Sequence, residues 1–119
     1  MAPQNTIEKM KLSGYTDGRP IKVAATGTPG TLIHTAVSGT ASYDEVWLYA
    51  FNSDTVARKL TLELGGTTSP DDTLEFYVPP ESGAYLLTAG LPYYNGVVIR
   101  AFCATANVVM VTGFVNRLV

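Results

Sequence analysis

The sequence predicts an all-β domain: an eight-stranded antiparallel β-sandwich of the jelly-roll type, preceded by an extended N-terminal arm. Short segments rich in β-branched and aromatic residues recur roughly every twelve residues from residue 21 onward, and Gly, Pro, Asn and Asp separate them. No segment shows a sustained helical period. Eight strands match two four-stranded sheets packed face to face. An immunoglobulin-like sandwich is the alternative, but its Cys…Trp…Cys spacing is absent.

The bulk composition fits one β-domain in contact with partners. The chain has 119 residues, of which 46% are hydrophobic and 15% are charged, and soluble domains usually carry about a quarter charged residues. The chain has a net charge of −2, whereas a nucleic-acid-binding domain usually carries an excess of basic residues. No apolar run approaches the roughly eighteen residues of a membrane helix. We therefore expect neither nucleic acid nor membrane as a partner.

Residues 1–20 form the predicted N-terminal arm, and residues 21–119 form the predicted sandwich. The arm is polar and has no sustained strand or helix period. Ile7, Met10 and Leu12 would give one weak helical turn. Either the arm is a frayed terminus, or it becomes ordered by docking on a neighbouring molecule.

The predicted strands follow in order, each bounded by turn residues. They are 21–26, 31–37, 44–53, 57–64, 73–78, 84–88, 97–104 and 107–116. The fourth alternates three inward leucines with three polar residues that face water. A proline-rich interruption at 79–83 and a loop at 89–96 flank the sixth, because proline cannot donate to a central ladder.

The third predicted strand, 44–53, organises the others because both of its faces are apolar. Side chains alternate between the two faces of a strand. One face carries Val46, Leu48 and Ala50, and the other carries Trp47, Tyr49 and Phe51. An exposed row of three aromatic side chains would present about 400 Å² or more of apolar surface. One face therefore belongs in the core, and a second layer, a loop or a neighbouring subunit covers the other.

No pattern in the chain indicates catalysis. His34 lies in mid-strand, where a packed or hydrogen-bonded side chain is expected, and no nucleophile–base pair stands out. Cys103 lies in an apolar run and is expected to be a small buried hydrophobe. No spacing of ligand residues indicates a metal site. We expect a protein that is not an enzyme and needs no cofactor.

The candidate functional residues are instead residues of an interface. Arg100 lies between apolar neighbours in a predicted strand and needs a partner, on a neighbouring strand or subunit. The predicted interface residues are Ile7, Met10, Leu12, Trp47, Tyr49, Phe51, Tyr93, Tyr94, Arg100 and Phe102. Alternatively, Trp47, Tyr77, Tyr93 and Tyr94 would form a sugar-stacking platform in a carbohydrate- or receptor-binding module.

Four stretches give the chain a resemblance to a known group of proteins: residues 31–36, 44–52, 58–66 and 107–117. Over about residues 30–119 the chain resembles small structural proteins of tailed bacteriophages, in particular jelly-roll capsid cement or decoration proteins. The resemblance implies a non-enzymatic sandwich, commonly a homotrimer, on the outer surface of the virion. There it would bind the major capsid protein and clamp neighbouring capsomers. The same sequence pattern also suits other parts of the virion, such as a head-fibre base or a tail protein. In that case the carbohydrate- or receptor-binding module would belong to a phage fibre or tail.

Overall fold

A computed structural model describes residues 6–81 and 83–119, which form nine β-strands and no helix. The described residues thus include no helix that is long and apolar enough to cross a membrane. The strands are β1 (Ile7–Met10), β2 (Ile21–Lys22), β3 (Thr31–Thr35), β4 (Tyr43–Asn52), β5 (Arg58–Leu64), β6 (Thr73–Val78), β7 (Tyr85–Tyr93), β8 (Val98–Cys103) and β9 (Val109–Leu118). The all-β fold class is confirmed, and the count of eight strands is wrong by one.

The strands form two antiparallel sheets that pack together. The first sheet has the order β1–β9–β4–β7, and β2 also pairs with β9. Because β4 pairs with β9 over its whole length, from Tyr43 opposite Leu118 to Asn52 opposite Val109, β1 and β2 share the other edge of β9. The second sheet has the order β3–β8–β5–β6.

Strand pairing is nested around the centre of the chain. The innermost pair is β5 with β6, followed outward by β4 with β7 and β3 with β8. The outermost pairing joins β1 and β2 to β9. Successive pairs alternate between the two sheets, so the first half of the chain pairs with the second half along its length. The outermost pair brings the two ends of the sandwich together, where Ile7 pairs with Leu118.

The core lies between the inward faces of the two sheets. It is aliphatic rather than aromatic, and burying such side chains contributes roughly 1.5–3 kcal/mol each. Both sheets, the loop after β1 and the segment after β2 supply it. Its members are Leu12, Ile21, Val23, Ile33, Val46, Leu48, Ala50, Leu60, Leu62, Val78, Leu87, Ile99, Ala101, Cys103, Val109, Val111 and Val115. Cys103 is buried and free, as the sequence predicted.

The described part of the predicted arm belongs to the sandwich. Ile7–Met10 pairs with β9, and Leu12 is only 2% exposed in the core. The expectation of a helical turn is therefore wrong for these residues. Glu8 and Lys9 break the apolar pattern of so short a strand, and its pairing partner lies at the far end of the chain. Residues 1–5 lie outside the described part.

Tyr15 fills the interval between β1 and β2 along β9. β1 pairs with β9 up to Val115 and β2 begins at Val111. In the interval, the Tyr15 hydroxyl accepts the Gly113 N–H and donates to the Gly113 carbonyl, both at 2.8 Å. It also lies 2.5 Å from the Thr112 hydroxyl. One side chain thus replaces strand pairing along this edge, because buried backbone groups need partners.

Two predicted strand ends differ from the structure by four residues or more. The first predicted strand, 21–26, is regular only over Ile21–Lys22. The predicted loop 89–96 begins too early, since β7 continues to Tyr93. Pro92 is tolerated there because β7 is an edge strand. A register shift at Val46/Trp47 accommodates the chain beside Gly90, whose φ of 70° suits a bulge.

Candidate interaction surface

The outward side of the first sheet carries the aromatic residues that the sequence singled out. Burial along β4 alternates at every residue. Val46, Leu48 and Ala50 are fully buried in the core, as predicted. Trp47 and Tyr49 are half-buried on the opposite side. Cross-strand neighbours share a face, and the pairs Trp47–Phe114 and Phe51–Met110 therefore extend this surface onto β9. We call Trp47, Tyr49, Phe51, Met110 and Phe114 the aromatic face.

Neighbours within the same sheet partly cover the aromatic face. The rings of Trp47 and Phe114 stack with centroids 5.9 Å apart and planes 5° apart. Lys9 of β1 places its ammonium 5.2 Å from the Phe114 centroid, within the range of a cation–π contact. A Cβ added at Gly90 would lie 3.0 Å from the indole ring, so the glycine backbone packs closely against Trp47. The indole N–H is buried and has no hydrogen-bond partner among the described residues.

Lys9, Asn116 and Glu45 lie side by side across the sheet, next to the aromatic face, and we call them the charged row. Asn116 of β9 pairs in register with Lys9 on one side and with Glu45 on the other. Neighbouring strands are about 4.8 Å apart, so a cation and an anion flank Asn116 symmetrically. The Asn116 side-chain oxygen is buried and has no hydrogen-bond partner within the described part of the chain.

Only one of the three predicted interface residues of the arm lies fully at the surface. Ile7 is 61% exposed. Met10 packs against the core and Leu12 lies inside it, so both stabilise the chain's own sandwich. The interface prediction is therefore wrong for Leu12. The sequence shows three spaced apolar residues, but it does not show that their partners belong to the same chain.

The four aromatic residues of the predicted sugar platform do not come together. Tyr93 pairs with Asp44 at the start of β4, and Tyr94 follows it. Tyr77 is in the second sheet, beside Val78, whose carbonyl accepts a hydrogen bond from Asn52 at the end of β4. Eight residues of strand separate the two ends, or about 27 Å. Tyr94 is exposed, whereas Tyr93 packs against the core and burial raises the pKa of its hydroxyl.

The outward side of the second sheet carries Arg100 and Phe102, both half-buried on β8. Arg100 lines an open pocket of about 250 Å³ together with Glu63, Gly65, Gly66, Thr67 and Val98. Glu63 stands opposite Arg100 in the register, yet its carboxylate accepts the Gly30 N–H at 2.6 Å and the Thr28 hydroxyl. Among the described residues the Arg100 guanidinium makes no ion pair, so its charge is available to a partner.

Glu63 also corrects the prediction that the outward residues of its strand meet water. Thr61 and Glu63 are 4% and 1% exposed. The segment around Thr28 and Gly30 covers Glu63 and supplies both of its hydrogen bonds. The strand was correctly predicted to alternate, but alternation alone does not reveal a loop folded over its outer face.

His34 belongs to a buried polar network that joins the two sheets. Its Nε2 lies 2.8 Å from an Asp44 carboxylate oxygen, and its Nδ1 accepts the Ser13 N–H at 3.0 Å. Arg117 donates to both oxygens of Asp44. The histidine is 2% exposed and both ring nitrogens are occupied, so the prediction of a hydrogen-bonded structural histidine is confirmed. The network positions β3, β4 and β9.

The sequence did not predict Asp44 and Arg117 as members of a buried network, since Asp44 was interpreted as the start of a strand. The burial of Asp44 could have been inferred, because alternation from Val46 places Asp44 on the inward face. A buried carboxylate needs a partner. Burial raises the pKa of Asp44, but hydrogen bonds and charge attraction from Arg117 and His34 outweigh it and hold the pKa below its ordinary value.

The chain was compared with protein families, with curated proteins and with solved structures, and none of the three comparisons finds a match.

Proposed function

We propose that this protein is a non-enzymatic virion structural protein, a capsid cement or decoration protein that binds the assembled phage head and bridges neighbouring capsid subunits. The observation that carries the proposal is the aromatic face. The core of the sandwich is filled by other residues, yet Trp47, Tyr49 and Phe51 line its outside. Apolar surface presented outward by a folded domain favours contact with other proteins.

We further infer that the sandwich is a jelly roll. Nested pairing of the first half of the chain with the second supports this topology, as does the alternation of successive pairs between two sheets. If β1 and β2 count as one interrupted strand along β9, each sheet has four strand positions, as in a jelly roll. This topology also supports the resemblance to capsid proteins with that fold.

Bridging requires two separate contact surfaces, and a sandwich offers them on the outer sides of its sheets. One carries the aromatic face and the other carries the pocket of Arg100. A clamp that binds only the assembled shell stabilises it by mass action. An acidic side chain of the major capsid protein is the partner we propose for Arg100, because a guanidinium binds a carboxylate through paired hydrogen bonds. The homotrimer and the location on the outer surface of the virion, after assembly in the host cytoplasm, are part of the proposal.

Co-sedimentation with purified capsid shells of the source phage tests the proposal. Wild-type protein should sediment with intact shells and not with unassembled capsid protein, and it should delay the thermal disruption of the shells. Arg100→Ala should weaken binding at least about tenfold. Arg19→Ala is the matched control, because it removes an exposed arginine outside both surfaces.

Failure of the wild-type protein to sediment with shells would contradict the proposal. Equal binding by Arg100→Ala and Arg19→Ala would remove the pocket from the mechanism. A glycan screen with a signal that depends on Tyr94 would favour the carbohydrate-binding alternative instead.

A further inference from the structure

We propose that the outer side of the first sheet pairs with the same side of a second copy of this chain. The two copies are related by a two-fold axis that runs parallel to β9, midway between the first sheet of one copy and the first sheet of the other. The proposal shares with the function above only the premise that this side is a contact surface. It assigns the aromatic face to a second copy, so that the two Arg100 pockets of a pair contact the two capsid subunits, and a two-fold pair takes the place of the homotrimer.

The charged row carries the proposal. Lys9 and Glu45 lie one strand to either side of Asn116 on β9. A two-fold axis along β9 exchanges the two sides, so Lys9 of each copy is placed over Glu45 of the other. Packed sheets are about 10 Å apart, a gap that a lysine and a glutamate side chain span together. One row thereby gives two identical ion pairs, as a closed symmetric dimer requires.

Both charges are available for such pairs. The Lys9 ammonium makes no ion pair within the described part of the chain, and its contact with the Phe114 ring holds it over the sheet. Glu45 is half-buried on the outward side of β4 and makes no ion pair among the described residues. Within one chain, Asn116 separates them.

Asn116 provides a second and independent observation. Its side-chain oxygen is buried and finds no partner among residues 6–81 and 83–119, and an unsatisfied buried acceptor costs roughly 1–3 kcal/mol. On the proposed axis the two Asn116 carboxamides face each other. Because rotation about χ2 exchanges the oxygen and the amide nitrogen, each carboxamide can donate to the other. The second copy thus satisfies a group that the described residues of a single chain leave unsatisfied.

The area agrees with a stable pair. The ten residues of β4 and the four-strand width give a footprint of about 30 by 19 Å, on the order of 570 Å². Side chains make the accessible area larger than the footprint, so it is of the order of the 800 Å² per partner that stable interfaces bury. The aromatic face lies along the axis, where it would be desolvated most completely.

Charge exchange tests the pairing. The mass of the purified protein in solution is measured by light scattering for wild type, Lys9→Glu, Glu45→Lys and an equimolar mixture of the two variants. Wild type should form pairs. Each variant alone sets like charges against each other twice, and its dissociation constant should rise at least about tenfold.

The mixture should form pairs again. In a mixed pair, the glutamate introduced by Lys9→Glu in one copy faces the lysine introduced by Glu45→Lys in the other. The unchanged Glu45 of the first copy faces the unchanged Lys9 of the second. No contact within one chain explains that recovery. Lys59→Glu is the matched control, because it reverses a charge on the opposite sheet and should leave the mass unchanged.

Two results would overturn the pairing. One is a wild-type protein that stays monomeric at about 100 μM or has the mass of a trimer; the other is a pair of single variants whose mixture does not associate. Thermal melts of both variants establish that they are folded. Shell binding by Arg100→Ala is measured separately, so failure of the pairing and failure of the capsid function are distinguishable.

Discussion

Asp44 is the residue on which the polar network depends, because it is fully buried and accepts hydrogen bonds from three residues. His34, Arg117 and the Val37 N–H all contact its carboxylate. Removing one partner of a buried ion pair leaves the other unpaired and is usually costly. Arg117 is 21% exposed, so water compensates part of the loss.

Asp44→Asn should therefore lower the free energy of unfolding by about 2–3 kcal/mol at neutral pH. The loss should depend on pH. The pKa of Asp44 is lower in the folded chain than its ordinary value of 3.8, so the stabilisation by the carboxylate is fully present above about pH 3.8. It is lost as the pH falls through the folded pKa. Urea unfolding between about pH 7 and pH 2.5 should show the two proteins converging in acid.

Glu75→Gln is the control for that titration, because Glu75 forms an exposed ion pair with Lys59 at 2.9 Å. Exposed pairs contribute little, so this variant should follow wild type at every pH. A gap between wild type and Asp44→Asn that stays constant down to about pH 2.5 would contradict the role given to the carboxylate.

At the residue scale, the sequence indicated which side chains are buried better than it indicated their partners. His34 was expected to be packed and hydrogen-bonded, and it is. Its network could not be assembled from the sequence, because Arg117 is 73 residues away from Asp44 along the chain. No local pattern connects positions at that separation. The same limit hid the hydrogen bonds between Glu63 and the segment that covers it.

At the element scale, β4 and β9 form the centre of the first sheet, and Gly113 allows their close approach. A Cβ at Gly113 would collide with the Trp47 carbonyl oxygen. Gly113 pairs in register with Leu48, and Trp47 pairs with Phe114. The glycine therefore keeps the ladder closed at the point where the aromatic face begins.

Gly113→Ala should destabilise the domain by about 3 kcal/mol or more, because the clash involves backbone that cannot move without opening the ladder. Thermal unfolding and soluble yield are the measurements. Gly27→Ala is the control, because a Cβ there meets nothing within 4 Å. Equal melting temperatures for the two variants would contradict the close approach of β4 and β9.

Strands that carry a strong alternation were predicted well, and those defined by distant pairing were not. Residues 73–78 match β6 at both ends, and the apolar faces of β4 were assigned correctly. β1 was missed because only four residues form it and two of them are charged. β7 was ended too early because Gly90 and Pro92 usually mark a loop, whereas an edge strand with a bulge accommodates both.

At the scale of the whole molecule, nested pairing makes the first strand dependent on the last. The number of strands indicated two sheets, but strand order is a property of the complete chain, and no segment encodes it alone. The boundary drawn at residue 20 shows the consequence. Residues 7–15 read as an appendage, yet they supply β1, a core leucine and the Tyr15 hydroxyl that fills the edge of β9.

Leu12→Ala tests whether the domain begins before residue 20. Leu12 is 2% exposed and belongs to the core, so replacing its side chain by alanine should lower the free energy of unfolding by about 2–5 kcal/mol. Ile7→Ala is the matched control, because Ile7 is 61% exposed in the same segment and should change stability by about 0.5 kcal/mol or less. Urea unfolding at low protein concentration separates this effect from self-association. Two variants with the same small effect would mean that residues 7–15 are an appendage after all. A large loss at Leu12 alone would mean that a variant lacking residues 1–20 does not fold. Its failure to bind shells would then report on folding rather than on docking by the arm.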